Sequence, residues 1–288
     1  MTATGYRAAM LVARMAPFTS TIFAEMSALA VRTGAINLGQ GFPDTDGPAS
    51  LLADVAANVT DGVNQYPPGL GVASLRTAVA EHQKRFYGLD VDPDHVLITT
   101  GATEAIASAV LALCGPGDEV VTFQPYYDSY AATIALSGAT LRAVPLRPPT
   151  FAFDPDELRA AFSPRTRVVL VNTPHNPTGS VLGREQLTYI GELAAEFDAV
   201  VVTDEVYEHM AYDGIEHVPM ATLPGLADGL TRPHHASKIS NRLDGLEDGG
   251  RVCSSVGPTP RRIRGRRTPV RRLRRDRRRR SGPATGCR

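Results

Sequence analysis

Apolar positions change period along this chain, and each change marks an element. Between Val72 and Phe86 they fall at Val72, Leu75, Val79, His82 and Phe86. Steps of three and four predict one face of an amphipathic helix. Ser20 to Arg32 reads as a second helix, with Ser20 or Thr21 as N-cap. Five short runs rich in β-branched residues then predict strands: Val96–Thr100, Glu119–Phe123, Thr140–Leu146, Arg167–Asn172 and Ala199–Thr203. Helical patterns separate several of them, at Ala102–Cys114 and Arg184–Phe197. Strands apolar on both faces and alternating with helices predict a mostly parallel α/β sheet with flanking helices. Between 229 and 260 no strand pattern is evident, and no sustained periodicity runs through 229–288.

Composition sharpens that break. The chain has 288 residues and is 43% hydrophobic, enough for a substantial core. Its formal charge is zero, but residues 251–288 hold 15 Arg against one acid, Asp276. That block carries +14 and the remainder −14. Like charge at such density repels itself and builds no core. No apolar run is long enough for a membrane-spanning helix, and no secretory signal pattern opens the chain. Three scattered cysteines, Cys114, Cys253 and Cys287, make neither a disulfide framework nor a metal-spaced set. His234 and His235 lack partner ligands at suitable spacing, so no metal is expected. A cytoplasmic location fits.

In open α/β sheets ligands sit beyond the carboxyl ends of the strands, so the residues after each strand are the candidates for chemistry. Gly101-Ala102-Thr103-Glu104 opens a helix, which is either a simple turn or a phosphate cradle of free amides. The Tyr126-Tyr127 pair either packs in the core or stacks on a flat ligand. Asn172-Thr173-Pro174-His175-Asn176-Pro177-Thr178-Gly179 is a rigid loop presenting the amide of Asn176, with His175 read as structural. Asp204 and Tyr207 leave the last strand three residues apart. An anion cradle, an aromatic ring, an amide, a carboxylate and a phenol together suit a phosphorylated pyridine aldehyde: the carboxylate would keep the ring nitrogen protonated.

The runs NTPHNPTG and DEVYEHMAYDG, with LGQGFPD at 38–44, NQYPPGLG at 64–71 and TTGATEAI at 99–106, resemble the fold-type-I, class I/II pyridoxal-phosphate aminotransferases. The resemblance covers about residues 5–228. It is nearest the branch holding N-succinyldiaminopimelate aminotransferase and the kynurenine-aminotransferase-like enzymes. It implies pyridoxal 5'-phosphate as cofactor, amino-acid and 2-oxo-acid substrates, a homodimer, and a setting in amino-acid biosynthesis, lysine biosynthesis included. It assigns Ala102 and Thr103 to the phosphate, Tyr126 to ring stacking, Asn176 and Tyr207 to the ring hydroxyl, and Asp204 to the ring nitrogen. Gly41 would line the substrate-carboxylate pocket, and Tyr66 would reach the phosphate of the neighbouring subunit.

The family's cofactor-anchoring lysine is expected about 34 residues after Asp204, and Lys238 stands there, one of only two lysines in the chain. Around it the family's Ser-x-x-Lys and Thr-Gly-Trp-Lys pattern is missing: His235 stands for the serine and Leu246 for the phosphate-binding arginine. The expected organisation is therefore an N-terminal arm with part of a small domain (1–47), an incomplete cofactor-binding large domain (48–228), and an atypical, disordered Arg-rich tail (229–288). Most of the small domain would be missing. Misread GC-rich DNA gives this Arg-, Gly- and Pro-rich composition, so a frameshift after about residue 228 and an impaired aminotransferase are the expectation. The alternatives are an inactive fragment and a nonspecific anion or nucleic-acid binder acting through the tail. No specific nucleic-acid or membrane partner is expected.

Overall fold

The computed structural model describes residues 11–18, 20–39, 41, 46–62, 64–224, 226, 236–240 and 251–256. The chain divides into a unit Met1–Pro258 and a unit Thr259–Arg288. The second unit, which holds most of the Arg-rich block, lies outside the described residues, and so do His234 and His235 of the first.

Three helices precede the sheet: α1 (Ile22–Thr33), α2 (Ala49–Thr60) and α3 (Ala73–Tyr87). Thr21 starts α1 by accepting a hydrogen bond from the Ala24 amide, and Gly34 ends it in the left-handed conformation at φ 67°. Helices then alternate with strands through β1 (Val96–Thr99), α4 (Gly101–Leu113), β2 (Glu119–Gln124), α5 (Ser129–Ser137) and β3 (Thr140–Pro145). The alternation continues with α6 (Pro155–Ala161), β4 (Thr166–Asn172), α7 (Arg184–Glu196) and β5 (Val200–Asp204). Asp154 caps α6 through the amides of Asp156 and Glu157, with Pro155 in the first turn.

Strands β6 (Ala236–Ser240) and β7 (Arg251–Val256) complete one seven-stranded sheet, ordered β1-β7-β6-β5-β4-β2-β3. The pairs from β3 through β6 are parallel; β7 runs antiparallel to both β6 and β1. This corrects the expectation of no strand between 229 and 260, and the sheet continues past residue 228. The physical reason is that a ladder needs backbone amides and carbonyls rather than an apolar pattern. Without β6 and β7, β5 would present an unpaired edge and β1 would have no partner strand.

The central strands are apolar on both faces because helices cover both. Along β4, Val169 and Val171 join a core with Leu187, Ile190 and Leu193 of α7 and Leu158 of α6. Val168 and Leu170 point the other way, onto Ala105, Ile106 and Val110 of α4 and Ile134 of α5. Burying each such Val, Leu or Ile contributes about 1.5–3 kcal/mol. That three-layer packing is the expected α/β class. Helices α1 and α2 bury no residue of their own, and Ile22, Val31, Val55 and Val59 stand exposed. Among the described residues no helix is long and apolar enough to cross a membrane.

Candidate active site

A small cleft of about 80 Å³, partly open to solvent, lies at the carboxyl ends of the central strands. Its floor is Asn172 at the end of β4 and Asp204 at the end of β5. Ala102, Thr103 and Ile106 of α4 form one wall; Tyr127, Asn176, Val206 and Tyr207 form the rest. Gly101 allows the abrupt strand-to-helix turn, since its φ of +92° suits glycine. The first amides of α4 have no partners within the helix, and with the helix dipole they give this wall a preference for anions.

Asp204 is buried and firmly oriented. Its Oδ2 accepts from the Tyr130 hydroxyl at 2.5 Å and its Oδ1 from the Val206 amide at 3.3 Å. Burial, then the Asp204 charge, pushes the Tyr130 phenol well above its ordinary pKa, so it stays protonated and donates. The Asn172 side chain donates to the Asp204 carbonyl at 2.9 Å and accepts from the Asn176 amide at 2.7 Å. The Asn176 side chain in turn donates to the Tyr207 hydroxyl at 3.1 Å, bringing two predicted residues together across the cleft. His175 shapes the same loop: its backbone pairs with Ser180 and Gly179, and its Nδ1 lies 2.8 Å from Thr178 Oγ1. Burial lowers its pKa and keeps the ring neutral, consistent with a structural role.

Five of the residues expected at the site thus meet in one cleft: Ala102, Thr103, Asn176, Asp204 and Tyr207. Tyr126 does not. The ring in the wall belongs to Tyr127, one residue on. Lys238 lies on β6, in register with Thr203 and one residue short of the partner of Asp204. Its backbone therefore sits beside the strand that ends in Asp204. Tyr66 is 98% exposed, and Gly41 is also exposed; neither forms part of the cleft. Tyr130, which orients Asp204, escaped sequence reasoning although it lies within the inspected segment after β2.

The cleft suits a flat, phosphorylated, ring-nitrogen ligand. An anion fits the start of α4, a protonated ring nitrogen fits Asp204, a ring hydroxyl fits Asn176 and Tyr207, and a ring face fits Tyr127. Comparison with known proteins points the same way. Residues 33–235 match the family model described as aminotransferase class I and II. The chain is 51% identical over 235 residues to the probable N-succinyldiaminopimelate aminotransferase of Mycobacterium tuberculosis, covering 81% of this chain and 59% of that protein. It is 43% identical over 242 residues to the methionine aminotransferase of Escherichia coli, covering 84% and 61% respectively. The solved structure of N-succinyldiaminopimelate aminotransferase from Mycobacterium tuberculosis superimposes with a TM-score of 0.80 at 47% identity, over 86% of this chain and 64% of that one. The chain therefore spans about three fifths of the length of these relatives.

Proposed function

The chain belongs to the class I and II aminotransferases, and from that premise we propose that its cleft binds pyridoxal 5'-phosphate for amino transfer between an amino acid and a 2-oxo acid. The observation that carries this reading is the Asp204 carboxylate, buried at the strand end and held by Tyr130 and the Val206 amide. When bound, the cofactor supplies an electron sink for the carbanion left by loss of the α-proton. The residues do the rest. The α4 amides at Ala102 and Thr103 hold the phosphate, and Asp204 holds the ring nitrogen protonated. Asn176 and Tyr207 fix the ring hydroxyl, and Tyr127 covers the ring face. Lys238 is assigned covalent attachment and movement of the α-proton, general acid–base work by a single amine. Its place in register with Thr203 supports that assignment.

A homodimer belongs to the same reading. The apolar faces of α1 and α2 and the exposed Tyr66 supply a surface for a second copy; Tyr66 is assigned to the neighbouring subunit's phosphate and Gly41 to the substrate-carboxylate pocket. Reduction with borohydride after incubation with the cofactor tests the site. The label is expected on Lys238 and is expected to be lost in Lys238→Ala. Label confined to Lys84, or no saturable binding, overturns the assignment.

A second reading competes with the first: we assign the residues after about 228 to a shifted reading frame, with Lys238 then coincidental and impaired turnover as the consequence. The codons of Ser240–Asp244, read one nucleotide forward, are compatible with Pro-Thr-Gly-Trp, and the next triplet, from Asp244 and Gly245, then reads Met or Thr where the family has Lys. The family pattern expects Thr-Gly-Trp-Lys in this region. The coding DNA tests this directly, because Gly-Trp in the shifted frame requires CGG or AGG for Arg242 and CTG or TTG for Leu243. Any other codon at either position rules out this frame, and absence of the family segment from both shifted frames after codon 228 refutes the reading.

A further inference from the structure

His82 of α3 meets Glu208 and His209 of the turn after β5 at a place none of them shares with the cofactor cleft. His82 Nε2 lies 3.0 Å from His209 Nε2. Glu208 Oε1 lies 4.0 Å from each of those two nitrogens. A triangle with these sides has a point roughly 2.2 Å from all three atoms, against zinc–nitrogen and zinc–oxygen bonds of about 2.0–2.2 Å. From this geometry we propose that His82, Glu208 and His209 bind one divalent transition-metal ion of the zinc class.

The surroundings suit such an ion. The side chains of His82 and Glu208 are 8% and 1% exposed, while His209 is 37% exposed and leaves a path for entry and for a water as fourth ligand. The turn is fixed by the Glu208 amide on the Glu205 carbonyl at 3.0 Å and the Met210 amide on the Tyr207 carbonyl at 2.8 Å. Phe86 packs against both imidazoles, with ring centroids 4.6 and 4.9 Å away, and supplies an apolar shell. The Tyr87 hydroxyl bonds to Glu208, an outer contact of the kind that orients metal-binding carboxylates. Glu205 and Glu208 also lie within reach of His217 in a second group of possible ligands. Carboxylates buried this close to one another raise each other's cost of ionisation, which a bound cation lowers.

Without an ion, His82 Nε2 and His209 Nε2 share a hydrogen bond, and His82 Nδ1 lies 3.3 Å from the Gln83 side-chain amide. Metal binding needs both imidazole Nε2 atoms and the Glu208 carboxylate free of protons, so a proton on Nε2 moves to Nδ1 or leaves to solvent. Imidazole and carboxylate donors select zinc-class ions over calcium or magnesium. The ion would pin α3 to the turn that carries Tyr207.

The test uses the full chain without cofactor, stripped with chelator and titrated with Zn²⁺ by calorimetry and with Co²⁺ by visible absorbance. The expected result is one saturable equivalent per chain, with Co²⁺ ligand-field bands of low coordination number. His82→Gln and His209→Ala each weaken binding by about tenfold or more and remove the bands, whereas His95→Ala leaves both unchanged. Circular dichroism of each variant separates lost binding from lost folding. His209 is part-exposed, so its replacement tests the site even if His82→Gln fails to fold. No saturable binding, or equal binding by folded His209→Ala and the parent, overturns the proposal. Cofactor binding can fail or succeed independently of either outcome.

Discussion

Replacing Tyr130 by Phe removes one oxygen and leaves the packing in place. The ring is 1% exposed, and its T-shaped contact with Tyr127, centroids 6.0 Å apart, does not depend on the hydroxyl. What disappears is the 2.5 Å hydrogen bond to Asp204 Oδ2. The Val206 amide on Oδ1, at 3.3 Å, remains a weak donor. A hydrogen bond to a charged group contributes about 1.5–3 kcal/mol, so Tyr130→Phe is expected to cost about that much stability. The folded-to-unfolded ratio falls by roughly ten- to a hundredfold. The chain has no Trp, so denaturant titration followed by circular dichroism or tyrosine fluorescence reads the effect. The midpoint should drop with the slope unchanged. A double-mutant cycle with Asp204→Asn isolates the pair. If Tyr130→Phe costs less than about 0.5 kcal/mol, or costs as much in the Asp204→Asn background as in the parent chain, the hydroxyl does not hold the carboxylate and the reasoning fails.

Glu119 gives a pH signature. The Arg142 hydrogen bond, reinforced by Ser163 and Arg165, holds its carboxyl near about 2, below the ordinary 4.5. A depressed carboxylate contributes stability that is complete above its unfolded pKa and lost as pH falls through its folded one. Stability should therefore decline between pH 4.5 and about 2, and Glu119→Gln should flatten that part of a denaturation-versus-pH curve; an unchanged slope counts against the pairing. Gly71→Ala should destabilise by more than about 1 kcal/mol in a thermal or denaturant melt, because φ is +94° and the new Cβ lies 2.6 Å from Ile98 Cβ. Leu187→Ala opens a cavity at a fully buried site and should cost about 2–5 kcal/mol by the same melt.

Much of the central sheet is legible in the chain because its strands are covered on both faces. Burial of β2, β4 and β5 demands β-branched runs; the edge strands β1 and β3 are less buried, yet all five runs from Val96 to Thr203 match β1–β5 to within one residue at each end. Helices α3, α4 and α7 follow from their apolar spacing in the same way. Helix α6 has seven residues, too few for a period to show, although Asp154 and Pro155 mark its start. Helix α5 has nine, and a run of alanines and serines obscures its face. Helix α2 carries apolar residues without burying any, so no core face selects its pattern. Strands β6 and β7 are harder still. Their partners are fixed by the open edges of β5 and β1, and an edge is a property of the assembled sheet rather than of any local sequence.

The site was legible wherever the chemistry follows a strand end directly, as at Asp204, and less so where direction matters. Tyr126 and Tyr127 are chemically identical, and their place after a strand end gives no reason to prefer the second. The structure supplies one. The Tyr130 amide bonds to the Tyr127 carbonyl at 3.0 Å, so the chain is already turning helically at 127. Residues three apart in such a turn share a face. Once Tyr130 is committed to Asp204, Tyr127 is carried to the same side and Tyr126 is carried away from it. The ring that lines the cleft and the hydroxyl that orients its carboxylate are thus consequences of one turn, and the i, i+3 spacing of the two tyrosines was the signal available for both. His82 and His209 carry no such signal: 127 residues separate them, and only the packing of α3 against the turn after β5 brings their nitrogens together.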